Sequence, residues 1–187
     1  VNRPPSVGHM SGHVLGVGDA FEMVVPGSDP DEGATLVYGA DSLPRGALLD
    51  SESGFFTWTP LATQLGEHRI RFTVSDGELT SSRSVSLVVS FDPIPPQVVV
   101  ELTPGFPVTP GQVVLIHPGA EGVADIDFIT VSVEGTVLDL DRYGRARFVP
   151  DRTGRFTVTA TAVDIDGVSA TRVTQIKVRD PRDVDAP

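Results

Sequence analysis

The sequence predicts an all-β chain of two tandem β-sandwiches, and three observations carry that prediction. First, the 187 residues include 19 Gly and 16 Pro, too many for long helices but suited to short strands and frequent turns. Second, apolar and polar residues alternate with period two over several runs, which places one face in a core and the other in water. Third, residues 90–96 read Ser-Phe-Asp-Pro-Ile-Pro-Pro. Those three prolines fix φ and remove backbone donors, so neither a helix nor a central strand continues through them.

Each element follows from local pattern. In the first half, Ala20–Val25 and Thr35–Gly39 are expected strands. Gly54–Pro60 (GFFTWTP) leads to a Pro-marked corner, and Gly66 precedes a strand over His68–Val74. A Ser75-Asp76-Gly77 turn then opens the strand Arg83–Val89. Ile70, Phe72 and Val74 form the apolar set of one strand, and Val85, Leu87 and Val89 that of the next. In the second half, strands are expected over Val98–Leu102, Val113–His117 and Phe128–Val133. The ending is then repeated: Gly144–Pro150 (GRARFVP), Gly154, the strand Arg155–Ala162, the turn Asp164–Gly167 and the strand Thr171–Val178. Asp-Gly between alternating runs is hairpin chemistry, because Gly tolerates positive φ. The repeated order implies a duplicated architecture. It sets domains at 1–92 and 96–180, a Pro-rich linker at 93–95, and a tail or further linker at 181–187.

Charge and composition narrow the partners. A formal charge of −11 offers no basic face for phosphates, so no nucleic acid partner is expected. No apolar run approaches the roughly 20 residues of a membrane helix, so no membrane insertion is expected in this segment. The absence of Cys removes disulfides, thiol nucleophiles and Cys-based zinc sites. It fits either a cytosolic protein or a bacterial surface protein built without disulfides. The sequence starts at Val1 and ends in Asp-Ala-Pro, as expected of a monomeric segment of a longer chain. The basic residues are 13 Arg and the single Lys177.

The first half resembles the cadherin-like, dystroglycan-type and bacterial immunoglobulin-like surface modules. The matching residues are Asn2-Arg3-Pro4-Pro5, Ser28-Asp29-Pro30-Asp31, Leu43-Pro44-Arg45-Gly46-Ala47, Asp50 with Ser53-Gly54, Phe56-Thr57-Trp58-Thr59-Pro60, and Val74-Ser75-Asp76-Gly77. The second half resembles a more distant bacterial immunoglobulin-like module through Gly144–Pro150 and Ala162–Gly167. The resemblance implies two tandem immunoglobulin-like (cadherin-like) β-sandwich domains in a bacterial cell-surface or secreted protein. It also implies Ca²⁺ at Asp29, Asp31 and Asp76, with Asn2 or Glu32 as further ligands. Residues i and i+2 of an extended segment point the same way, so a DxD pair can converge on one ion. Six to eight oxygens are needed, so carbonyls and water would complete the set. The pairs Asp125/Asp127 and Asp164/Asp166 are weaker Ca²⁺ candidates of the same spacing, as is Asp139/Asp141. Against all of them stands the habit of Asp to build turns by bonding its own backbone.

Other chemistry is thinly supplied. His9 and His13 are spaced i, i+4, but Gly8 and Gly12 argue for an irregular surface segment. His68 is expected on an exposed strand face, and His117 near a strand end. No GxSxG nucleophile elbow and no GxxxxGK[ST] phosphate loop occurs. Lys177, flanked by Ile176 and Val178, should point outward and form no isopeptide crosslink. Trp58 is expected in the core. The sequence therefore reads as a non-catalytic segment acting as spacer, stalk or adhesion module. The alternative is an accessory module of a secreted hydrolase. In that reading Tyr38, Phe55 or Tyr143 would meet protein or carbohydrate ligands.

Overall fold

The computed structural model describes residues 2–105, 107–180 and 182, and the alternating runs form strands in it. Two units separate by their internal contacts, Val1–Ile94 and Pro95–Pro187. The first contains β1 (Ser6–Val7), β2 (His13–Gly16), β3 (Phe21–Val24), β4 (Gly27–Ser28), β5 (Val37–Asp41), β6 (Leu48–Leu49), β7 (Phe55–Trp58), a 3-10 turn at Ala62–Gln64, β8 (Gly66–Ser75) and β9 (Thr80–Ser90). A four-stranded sheet runs β2-β9-β8-β5, a three-stranded sheet β3-β7-β6, and β1 and β4 form a small ladder. All these pairings are antiparallel except β2 with β9, where His13 stands beside Leu87 and Gly16 beside Ser90.

The core lies between these sheets because alternation aims one side of each strand inward. Ile70, Phe72 and Val74 of β8, with Val85, Leu87 and Val89 of β9, meet Phe56 and Trp58 of β7. The Phe56 and Phe72 rings meet edge-on at 5.4 Å, the orientation that the ring quadrupoles favour. Each fully buried side chain of this size stabilises by about 1.5–3 kcal/mol.

The second unit contains β10 (Gln97–Thr103), β11 (Val114–Glu121), β12 (Ile126–Val133), β13 (Thr136–Leu138), β14 (Ala146–Phe148), β15 (Gly154–Asp164) and β16 (Ser169–Val178). Its sheets are β10-β11-β14 and β13-β12-β15-β16. Val131, Val133, Phe156, Val158, Ala160, Ile176 and Val178 from the larger sheet pack on Val114, Ile116 and Ala146 from the smaller. Both units are thus sandwiches of two sheets around one core. Lys177 is exposed between buried Ile176 and Val178.

Several elements differ from expectation. The segment around His13, expected to be irregular, is β2. It is an edge strand that buries only Leu15, so its alternation has almost no amplitude. The ladders of β1, β4 and β6 are two residues long, shorter than one full alternation. The hairpin between β12 and β13 turns at Glu134 (φ 48°) and Gly135 (φ 81°), and Glu is not a residue that announces positive φ. β11 continues through Pro118 to Glu121. Proline is tolerated there because β14 pairs only with residues 114–116, leaving the Pro118 side of the strand without a ladder partner. Of the tail at 181–187, only Arg182 is among the described residues.

Candidate functional site

Asp29, Asp31 and Glu32 lie in the loop after β4, and Asp76 and Glu78 in the turn after β8. Asp29 Oδ1 accepts the Asp31 N–H at 2.7 Å, a turn in which an Asp side chain replaces a backbone acceptor. Arg3 then covers Asp31. Its own N–H donates to Oδ2 at 2.7 Å and its Nε–H to Oδ1 at 2.7 Å. Its Nη2 stands 2.7 Å from Oδ1 and also donates to the Pro30 carbonyl. Asp76 turns inward on its own hairpin: Oδ1 accepts the N–H groups of Glu78 at 2.8 Å and Leu79 at 2.7 Å. Asn2 Nδ2 reaches Asp76 Oδ2 at 3.1 Å. Asn2, Asp31, Glu32, Gly33, Ala34, Asp76 and Glu78 line an open cavity of about 500 Å³.

The electrostatics follow from these partners. The Arg3 backbone N–H, and then its guanidinium, hold the Asp31 carboxyl below its ordinary 3.8, while the Asp76 charge pushes the other way. The Leu79 and Glu78 amides hold Asp76 below the same value. Asp29 Oδ2 is buried without a hydrogen-bond partner. Among the described residues, no three His, Asp or Glu side chains converge as metal ligands. The calcium expected from the resemblance would need Asp31 oxygens that already accept from a guanidinium, so this arrangement fits a metal poorly. Asp29 Oδ2 is the remaining unpartnered acceptor of the three carboxylates.

The acidic pairs of the second unit are placed differently from one another. Asp164 is 4 % exposed and its Oδ1 accepts the N–H groups of Asp166 at 3.1 Å and Val168 at 2.8 Å. The Asp125 carbonyl accepts the Ile165 N–H at 3.0 Å, which sets the two loops side by side. Asp127 is exposed on β12, at the register shift between Ile126 and Phe128. Asp141 Oδ1 accepts from the N–H groups of Tyr143 and Arg145, and its Oδ2 from the Arg145 guanidinium. Asp50 does the same work before β7, accepting from the N–H groups of Glu52 and Ser53.

Sequence reasoning misplaced two groups. His68 shares the parity of Ile70 on β8, so it faces inward. Its ring meets Trp58 edge-on at 5.0 Å, and its Nε2 lies 2.7 Å from the Gln64 carbonyl. The parity was the available signal. Arg3 carries no local sign of its role in the sequence, because its partner Asp31 lies 28 residues away and only the fold brings the two together. Of the aromatic candidates, Tyr38 packs against the first core, Phe55 is 39 % exposed and Tyr143 58 %. Trp58 is 1 % exposed.

Residues 4–90 match the model of the family described as "Putative Ig domain", the class implied by the motifs of the first half. No curated protein matches the chain significantly. Human protocadherin-24 domains EC1-2 are similar at 16 % identity and TM-score 0.41, covering 96 % of this chain and 99 % of that one. Fibronectin(III)-like modules of Clostridium thermocellum CbhA are similar at 13 % identity and TM-score 0.40, covering 98 % of each chain. Domains 3–6 of protocadherin gamma B2 are similar at 20 % identity and TM-score 0.40; this chain spans 48 % of that structure. It spans 17 % of a Bacteroides fragilis structure described as a "putative alpha-galactosidase", at 16 % identity and TM-score 0.40, with 46 % of this chain covered. The fold is all-β, two sandwiches of packed sheets, the first of which matches an immunoglobulin-like family model.

Proposed function

We propose that this chain is a non-catalytic spacer or stalk segment of a larger bacterial cell-surface or secreted protein. One observation carries the reading: each half closes its own core with its own two sheets, on either side of the proline-rich stretch around Pro93, Pro95 and Pro96. Units that bury their apolar faces internally can be strung in series, each bearing load without its neighbour. The acidic loops support the same reading, because their carboxylates hold turns together. The accessory-module alternative is less favoured. Tyr38 is packed into the first core, so Phe55 and Tyr143 are left as one exposed ring from that set in each unit.

Single-molecule stretching of the full chain tests the proposal. Two unfolding steps are expected, each releasing roughly 300 Å of contour, from about 3.3–3.6 Å per residue over some 90 residues. A single step releasing the whole contour would reject independent load-bearing units. Turnover of a glycoside or peptide substrate that survives purification would reject the non-catalytic assignment.

A further inference from the structure

The first unit binds its N-terminal segment with a cation carried by the chain itself. Asp31 and Asp76 line the same open cavity, and a positive group between the N-terminal segment and these loops offsets their like charges. Calcium would do so with six to eight oxygens at about 2.3–2.6 Å. Here Arg3 reaches both Asp31 oxygens and the Pro30 carbonyl, the kinds of oxygen a metal would use. Asn2 extends the same segment to Asp76. The planar guanidinium serves Asp31 Oδ1 through Nε–H and the Pro30 carbonyl through Nη2, while the Arg3 backbone N–H holds Oδ2. The backbone is prepared for this: Pro4 biases Arg3 toward extended φ/ψ, and Pro5 is buried, anchoring the segment two residues away.

We propose that Arg3 replaces calcium at this loop, so that docking of the N-terminal segment on the 29–31 turn is independent of metal. Position 3 is then the residue that sets metal independence.

Trp58 is the single Trp of the chain and is buried in the first core, so its fluorescence reports melting of that unit alone. For the wild-type chain, the Trp58 melting temperature should be the same in EDTA and in saturating Ca²⁺. Arg3→Ala in EDTA should melt roughly 2–5 °C lower, the scale of an exposed ion pair in a domain of this size. It should also lose amide-exchange protection at residue 3. Arg3→Lys keeps the charge without the planar guanidinium and should recover part of both. A Ca²⁺-dependent rise in the wild-type melting temperature would overturn the proposal. So would an Arg3→Ala chain with unchanged melting and unchanged protection at residue 3. If Arg3→Ala does not fold, the wild-type Ca²⁺ comparison and Arg3→Lys still decide.

Discussion

Asp29, Asp50, Asp76, Asp141 and Asp164 each accept an N–H from the residue two positions on. That is why the i, i+2 spacing of Asp29/Asp31 and Asp164/Asp166 could not separate ligands from turns in the sequence. The first carboxylate of each pair holds the backbone of the second, and the same spacing serves either purpose. Asp164 is the buried member, and its loss would strand two donors in the second unit. Asp164→Ala is expected to destabilise that unit by about 1–3 kcal/mol in urea denaturation, whereas Asp164→Asn, whose amide oxygen still accepts, should cost much less. Acid sensitivity follows from the same contacts. Backbone N–H groups hold Asp31, Asp50, Asp76 and Asp141 below 3.8 when folded. A carboxyl with a lowered folded pKa stabilises the fold above its unfolded value and loses that contribution as pH falls through the folded one. Melting temperature should therefore be flat down to about pH 5 and fall below the ordinary Asp value near 3.9. Asp76→Asn should flatten part of that acid limb, and an unchanged limb would remove Asp76 from its causes.

The hairpin entering β7 shows how motif residues become structure. Asp50 accepts the Gly54 N–H through its carbonyl and donates its own N–H to Phe55, while the Gly54 carbonyl receives Val25. Gly54 has φ 71°, and a Cβ there would lie 2.8 Å from the Tyr38 ring. Gly46, at φ 85°, has nothing within 4 Å. Gly54→Ala should thus cost both left-handed strain and overpacking, about 2 kcal/mol or more. Gly46→Ala should cost only the strain, about 1–2 kcal/mol. Equal losses in chemical denaturation would mean that Tyr38 yields freely. The long strands β8, β9, β15 and β16 were legible because each, at ten or eleven residues, is long enough to contain an alternating inward set. β2 and β13 were not, since each contributes few inward side chains. His68 was missed for a different reason: polar character was read over parity, although Ile70 two residues on fixed the inward face.

Across the whole molecule the two halves repeat one construction. Asp50 and Asp141 open equivalent turns, each donating its N–H to a carbonyl four or five residues on. β8–β9 and β15–β16 are both long hairpins closed at acidic turns. This duplication could be read from the order of Gly, Pro and Asp-Gly signals even though few residues are shared, because turn chemistry is restricted at only a few positions. What each half does for the other is a question of free energy. If each core is sufficient, a chain ending at Ile94 should keep Trp58 buried and melt within about 2 °C of the full chain. Its urea m-value should match that of the Trp58-reported transition of the full chain, since m scales with the surface exposed. A larger fall in melting temperature would mean that the first sandwich draws stability from residues beyond Ile94, and the description of two self-sufficient cores would have to be withdrawn.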